Sequence, residues 1–286
     1  MDPNTQPLKI DASYAKTLKA LHKPGKPLVL ANIYDLSSLN ALLSLNPKSK
    51  LSTGSIVAVA TASYAIAETL GVRDEDLTYE QNFAGIAPIG RVVRQASLPL
   101  TVDIQDGYGD RLVESVQTAI KLGASGANIE DSIPERGFGH GVEGSLRNME
   151  VATERIKTAL KTAVEAGVPD FVINARTDVM RLSPLPEDAL DETIRRGKAF
   201  LAAGATTVFV WGGGRGLRTA EVERLVKEFS GMLAVKLGDG PLALTVKELG
   251  DIGVARISVG PSLWMLSMKA FKEGATRILE GGRLHP

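Results

Sequence analysis

The sequence predicts an α/β protein built as a (β/α)8 TIM-type barrel, and three observations carry that prediction. Eight short apolar, β-rich runs recur along the chain, stretches with helical period lie between most of them, and several of those stretches end in glycine just before the next run. Strands that are apolar almost throughout are buried on both faces, as in parallel sheets, and eight such units in about 250 residues fit a closed barrel. A doubly wound open sheet is the alternative.

The runs are PLVLANI (27–33), SIVAVAT (55–61), LPLTVDI (98–104), SGANIED (125–131), DFVINAR (170–176), TTVFVWG (206–212), MLAVKLG (232–238) and VARISVG (254–260). Helical period marks LVESVQTAIKLGA, EVATERIKTALKTAVEAGV, DALDETIRRGKAFLAAGA and RTAEVERLVKEF between them. The last segment, SLWMLSMKAFKEGATRILEGG, stays helical beyond the eighth strand and reads as an eighth barrel helix plus a tail. No linker or change in composition divides the chain, so residues 1–286 are expected to form a single domain. Residues 132–149, SIPERGFGHGVEGSLRNM, make a connection longer than a barrel loop needs, and such loops are usually functional or disordered.

Composition narrows the chemistry. With 33 Lys plus Arg against 33 Asp plus Glu there is no net field to attract nucleic acid or an anionic membrane. No apolar run reaches the roughly 18 residues of a membrane span, and the N-terminus lacks a signal-peptide layout, so a cytoplasmic location is expected. There is no cysteine, hence no disulfide, thiolate metal site or thiol nucleophile. The three histidines, His22, His140 and His285, are too few for a multi-histidine zinc site, so any metal must be held by oxygen.

Barrel chemistry sits where the strands end. In LTVDIQDGYGD (100–110), alternation puts Val102 and Ile104 on one face and Thr101, Asp103 and Gln105 on the other. The apolar face packs on helices, which leaves the polar face in the barrel mouth, where a buried carboxylate is costly without a partner or cation. Glu130 and Asp131 end the fourth strand; Arg176 and Asp178 follow at the fifth. Carboxylates at successive strand ends with one arginine suit Mg2+ and an anionic substrate. For any single acid, a helix N-cap or a surface ion pair is the competing explanation.

These residues resemble the isocitrate lyase and phosphoenolpyruvate mutase superfamily over nearly the whole chain. DIQDGYG (103–109) is similar to its Asp-x-Asp-x-Gly-Tyr-Gly element, residues 129–131 to its Ile-Glu-Asp element, and NARTD (174–178) to the stretch with its substrate-binding arginine. ATASYAIAETLGVRD (60–74) and GVARISVGPSLW resemble further family segments. The resemblance implies Asp103 as direct Mg2+ ligand, with Mn2+ as an alternative ion, and Glu130, Gln105 and Asp74 as holders of the metal's waters. It implies that Arg176 binds the substrate carboxylate, while Tyr34, Asp35, Ala62 and Ser63 line a 2-oxoacid pocket. It also implies a homotetramer with C-terminal helices, about 262–282, exchanged between subunits.

Two departures matter. The family's lyases carry a Cys-Gly-His triplet on the long loop, and here Phe138, Gly139 and His140 stand in its place. The thiol step of isocitrate and methylisocitrate lyases is therefore excluded, and His140 and Glu135 become the candidate proton carriers, with simple solvation of the loop histidine as the competing reading. Gln105 stands where many members have Asp, which removes one carboxylate. Outside the motifs, Trp211 is a candidate cap on the pocket. GGGRG (212–216) lacks the Lys-Ser/Thr of a phosphate-binding P-loop. Lys236 is either a Schiff-base lysine or, more simply, one paired with a neighbouring acid.

The sequence thus favours a Mg2+-dependent carbon–carbon lyase or hydrolase on a 2-oxo- or 2-hydroxydicarboxylate, working through an enolate-type intermediate. Phosphoenolpyruvate or phosphonopyruvate chemistry, a lyase or cyclase on a larger metabolite, and an oxoacid-binding protein without turnover are the alternatives. In each case the partner is a small carboxylate.

Overall fold

The computed structural model describes residues 10–46, 56–241 and 243–284. Along them run α1 (Ser13–Leu21), β1 (Leu28–Leu30), β2 (Asn32–Ile33), α2 (Leu36–Leu43), β3 (Val59–Thr61), α3 (Ser63–Thr69), α4 (Tyr79–Gln95), β4 (Leu100–Asp103), α5 (Leu112–Lys121) and β5 (Ala124–Glu130). There follow α6 (Gly141–Ser145), α7 (Met149–Glu165), β6 (Val172–Thr177), α8 (Ala189–Ala202), β7 (Thr207–Val210), α9 (Thr219–Glu228), β8 (Leu233–Lys236), α10 (Val246–Ile252), β9 (Arg256–Ser258) and α11 (Ser262–Leu279).

The nine strand segments form one parallel sheet in the order β1-β9-β8-β7-β6-β5-β4-β3-β2. Eight predicted runs give nine segments because the first is interrupted at Ala31: β1 pairs with β9 while β2 pairs with β3, so one stretch of chain joins both ends of the sheet and nearly closes the barrel. The other seven runs each contain one strand; Ser55, at the start of the second, and His285 lie outside the described residues.

Alternation sorts the side chains as expected. Val102, Ile104, Ala127, Ile129, Ile173 and Ala175 face outward into a core shared with the helices. The opposite face of the same strands fills the barrel. At the strand starts, Leu18 of α1 packs on Leu28, Leu30, Ala58, Ala60 and Val172 and plugs the barrel floor. Gly126 is required there, since a Cβ would come within 2.7 Å of the Val172 carbonyl oxygen and 3.1 Å of Leu18. The apolar plug leaves the polar residues near the strand ends as the lining of the mouth.

The long connection 132–149 is structured. It holds a 3-10 turn at Pro134–Arg136 and α6, and Ser132 bridges antiparallel to Leu146. α11 leaves Leu266, Phe271 and Leu279 exposed at 61%, 74% and 85%. Among the described residues no helix is long and apolar enough to cross a membrane.

Candidate active site

β4 delivers Asp103 to the barrel mouth and its neighbours fix it there. Its backbone N–H donates to Thr61 Oγ1 at 2.9 Å, and its carbonyl accepts from Asn82 Nδ2 at 2.9 Å. The carboxylate accepts from Ser63 Oγ (3.1 Å) and Ser63 N (3.4 Å) on one oxygen, and from Asn128 Nδ2 and Gln105 N (both 3.3 Å) on the other. All four donors are neutral, so the charge is solvated by dipoles without being cancelled. Asp74, in the 3-10 turn Asp74–Asp76, has its carboxyl raised above the usual range, first by burial and then by the like charge of Asp103. A bound cation would relieve that repulsion.

Gln105 takes a left-handed backbone, φ +51°, which is uncommon without glycine, and so the turn begins one residue after the strand. Its Nε2 donates to the Asp74 carbonyl (2.6 Å) and Oδ1 (3.0 Å). Asp106 lies away from the mouth, on the side to which strand alternation turns it. There it accepts from Tyr108 N and Gly109 N and pairs with Arg147, so it holds the loop and leaves the charge missing at Gln105 unreplaced.

On β6, Arg176 is clamped between two acids. Its Nε and Nη2 both reach Asp178 Oδ1 at 2.8 Å, and Nη1 reaches Glu130 Oε2 at 2.9 Å. Burial opposes the charge on Arg176, but Asp178, Glu130 and Asp103 together raise its pKa. Burial likewise raises Glu130, against the pull of Arg176. Asp131 belongs to a different structure: it accepts from Thr177 Oγ1 and Asp178 N and pairs with Arg196, which in turn pairs with Glu192. Of the adjacent acids Glu130 and Asp131, one serves the mouth and the other ties β6 to α8.

A cavity of about 880 Å3 opens over these residues. Ala62, Ser63, Asp74, Asp103, Arg176 and Trp211 line it, which brings together six of the sequence-predicted positions. Glu130 and Gln105 stand just behind, in contact with Arg176 and Asp74. Four other positions are not brought there. Asp35 is the N-cap of α2, accepting from Ser38 N at 2.7 Å in a capping box. Tyr34 meets Ser267 of α11 through its hydroxyl at 3.1 Å. Glu135 and His140 are exposed on the long loop, and neither lines the cavity. The loop reaches the cavity wall through Phe138, itself outside the lining, whose ring stacks on Arg181 with 3.8 Å between guanidinium carbon and centroid; Trp211 flanks the same guanidinium at 4.6 Å.

Sequence reasoning missed Arg181, Asn128 and Arg256, all of which line the cavity. The signal for Asn128 and Arg256 was a polar or charged residue inside an apolar strand. Lys236, also in the lining, pairs with Asp239 at 2.6 Å. GGGRG forms a tight loop on the rim, where a Cβ on Gly212 would lie 2.0 Å from the Gly216 carbonyl oxygen.

The donor set suits a hard cation with few protein ligands. Among the described residues no three His, Asp or Glu side chains converge as a ready-made metal cage. Asp103 and Asp74 offer carboxylates with no ion-pair partner among the described residues, the Gln105 amide beside them, a pattern compatible with an ion that keeps most of its waters, as Mg2+ does.

The family model described as phosphoenolpyruvate phosphomutase matches residues 18–279. The chain belongs to this family. It is 34% identical to 2-methylisocitrate lyase of Escherichia coli K12 over 127 residues, which span 43% of this chain and 40% of that protein. A crystal structure from Burkholderia cenocepacia J2315, provisionally named as a phosphonomutase, is 33% identical, covers 95% of this chain and 99% of its own, and superposes with a TM-score of 0.77. Oxaloacetate acetylhydrolase in complex with oxalate shares the fold at a TM-score of 0.79 and 22% identity, covering 97% of this chain and 91% of its own. Other relatives are named 2,3-dimethylmalate lyase of Eubacterium barkeri and oxaloacetate decarboxylase of Bradyrhizobium diazoefficiens, and the chain spans 41% and 63% of their lengths.

Proposed function

We propose that the protein is a Mg2+-dependent enzyme, with Mn2+ as an alternative ion, that cleaves a carbon–carbon bond in a 2-oxo- or 2-hydroxydicarboxylate through an enolate-type intermediate. One observation carries the reading: a single cavity holds a carboxylate without an ion-pair partner among the described residues, Asp103, and a pre-oriented guanidinium, Arg176. Three of the five guanidinium donors are engaged by Asp178 and Glu130. The remaining two can bind a substrate carboxylate without paying to order the side chain. Ser63 N and Oγ, at the start of α3, hold the Asp103 carboxylate in place. A cation at Asp103 would stabilise negative charge developing on an oxoacid oxygen. Phe138 and Trp211 both pack against the guanidinium of Arg181, which lines the cavity. Since Phe138 occupies the place where the resemblance implies a cysteine, proton transfer uses another group, and the thiol-dependent activities of the superfamily are not proposed.

Phosphonopyruvate or phosphoenolpyruvate chemistry is the second reading, favoured by the 33% identity to the Burkholderia structure. A homotetramer exchanging residues 262–282 completes the reading, supported by the apolar surface that α11 leaves exposed. The test is a panel of 2-oxo- and 2-hydroxydicarboxylates with Mg2+, read by product analysis, beside phosphonopyruvate followed by 31P NMR. Consumption of a dicarboxylate that is lost in Asp103→Ala supports the first reading. A changed phosphorus spectrum supports the second. If Mg2+ and oxalate raise the melting temperature while nothing is consumed, the protein binds oxoacids without turnover.

A further inference from the structure

Three of the arginines that line the cavity, Arg176, Arg181 and Arg256, differ in how their charge is accommodated. Arg176 is compensated by Glu130 and Asp178. Arg181 is sandwiched between Phe138 and Trp211. Arg256, on β9, is only 3% exposed, yet its Nε and Nη1 are buried with no hydrogen-bond partner among the described residues. The register sets it opposite Leu28 of β1 and Ala234 of β8, one step below Ser258 on the same inward face, and hence deeper in the barrel than the strand ends. A second uncommitted group belongs to the same lining: Thr101 Oγ1 is buried without a partner among the described residues.

A buried guanidinium without a counter-charge is expensive, and such groups persist where they pair with something. Burial alone pulls its pKa down to about 10, with Asp103 acting only through space in the other direction. Water can satisfy its N–H groups but cannot balance its charge. An anion in the cavity can do both, because the fork of N–H donors matches a carboxylate. The cavity, within the range of about 300–1,000 Å3 that encloses drug-sized ligands, has room for more than an oxoacid head.

We propose that Arg256 anchors a second anion subsite, which receives the far carboxylate of the substrate while the oxoacid end lies between Asp103 and Arg176. The subsite rests on the oxoacid reading above and extends it to a residue that selects dicarboxylates. Arg256 acts as a binding residue that fixes which end of the substrate enters deepest.

The test is calorimetric, with Mg2+ present and ionic strength fixed. 2-Oxoglutarate is compared with 2-oxopentanoate, which has a methyl group in place of the far carboxylate, on the wild type and on Arg256→Met; phosphonopyruvate against 2-oxobutyrate forms a second arm. A charge-assisted pair predicts that the wild type prefers 2-oxoglutarate by about tenfold or more, and that Arg256→Met removes the preference with 2-oxopentanoate affinity nearly unchanged. Equal binding of the two acids by the wild type, or a preference that survives in Arg256→Met, overturns the subsite. A preference confined to phosphonopyruvate overturns the assignment to a carboxylate. If neither oxoacid binds, the oxoacid reading itself fails, a result distinct from equal binding. Should Arg256→Met fold poorly, Thr101→Val and Arg256→Lys keep the test alive: each must lower the ratio between the two acids, and an unchanged ratio in both overturns the subsite.

Discussion

Arg176 and Glu130 meet at 2.9 Å across the junction of β5 and β6, where the strand register sets their backbones side by side. Because Asp178 holds the other side of the guanidinium, the arginine cannot swing away without stranding buried carboxylates, one of which already leaves Asp178 Oδ2 unpartnered. Arg176→Lys keeps the charge but loses the fork. We expect it to weaken oxalate or pyruvate binding by roughly tenfold or more and to lower stability by about 1–3 kcal/mol, as measured by calorimetry and denaturant unfolding. Binding and stability both unchanged would remove Arg176 from the site.

Phe138 lies over the Arg181 guanidinium, and that contact fastens the connection 132–149 to the cavity wall. A partly desolvated cation–π pair contributes about 1–2 kcal/mol. Phe138→Ala should therefore speed amide hydrogen exchange across residues 133–146 by a few-fold to thirtyfold while the barrel strands keep their protection. Equal exchange in the two proteins would show that the loop is held elsewhere.

The barrel was legible because parallel strands buried on both faces read as apolar runs, and all eight runs contain strand. The interruption at Ala31 was not, since it comes from pairing with two different partners on either side. Asp103 could be placed from alternation alone, a local rule. Alternation also held one step later, with Gln105 on the Asp103 side reaching Asp74 and Asp106 turned into the loop, whereas the left-handed backbone of Gln105 had no glycine to announce it. Asp35 followed the competing expectation for any strand-end acid and became an N-cap. His140 and Glu135 were assigned from the order of residues in the loop, whereas their directions depend on how Phe138 and Ser145 dock it. Arg256 carried only the faint mark of one charge within an apolar strand.

Gly212 and Gly214 separate loop shape from loop composition. Alanine at 212 would set its Cβ 2.0 Å from the Gly216 carbonyl oxygen, so the loop behind Trp211 must open. Alanine at 214 meets nothing within 4 Å. Gly212→Ala is expected to cost about 1–3 kcal/mol and to shift Trp211 fluorescence in a Trp264→Phe background, whereas Gly214→Ala leaves both near the starting values. Identical spectra for the two variants would mean that the loop does not set the position of Trp211.

His22, at the C-terminal end of α1, sits beneath the barrel with Nδ1 at 2.8 Å from the Leu18 carbonyl oxygen and Nε2 without a partner among the described residues. Burial, with the positive charge of Arg256 as a second cause, lowers its pKa from 6.5 to about 3. Unfolding frees the imidazole, so below pH 6.5 the unfolded chain binds a proton that the folded chain refuses. The contribution of neutral His22 is therefore complete above the unfolded pKa and is lost as pH falls, by up to about 1.4 kcal/mol for each unit until the folded pKa is reached. Denaturant unfolding between pH 7 and pH 4 should show the wild type losing stability steadily below about pH 6. His22→Gln, which has no proton to gain, should start less stable at pH 7 and lose less over the same range. Parallel curves for the two proteins would place the acid sensitivity in other groups.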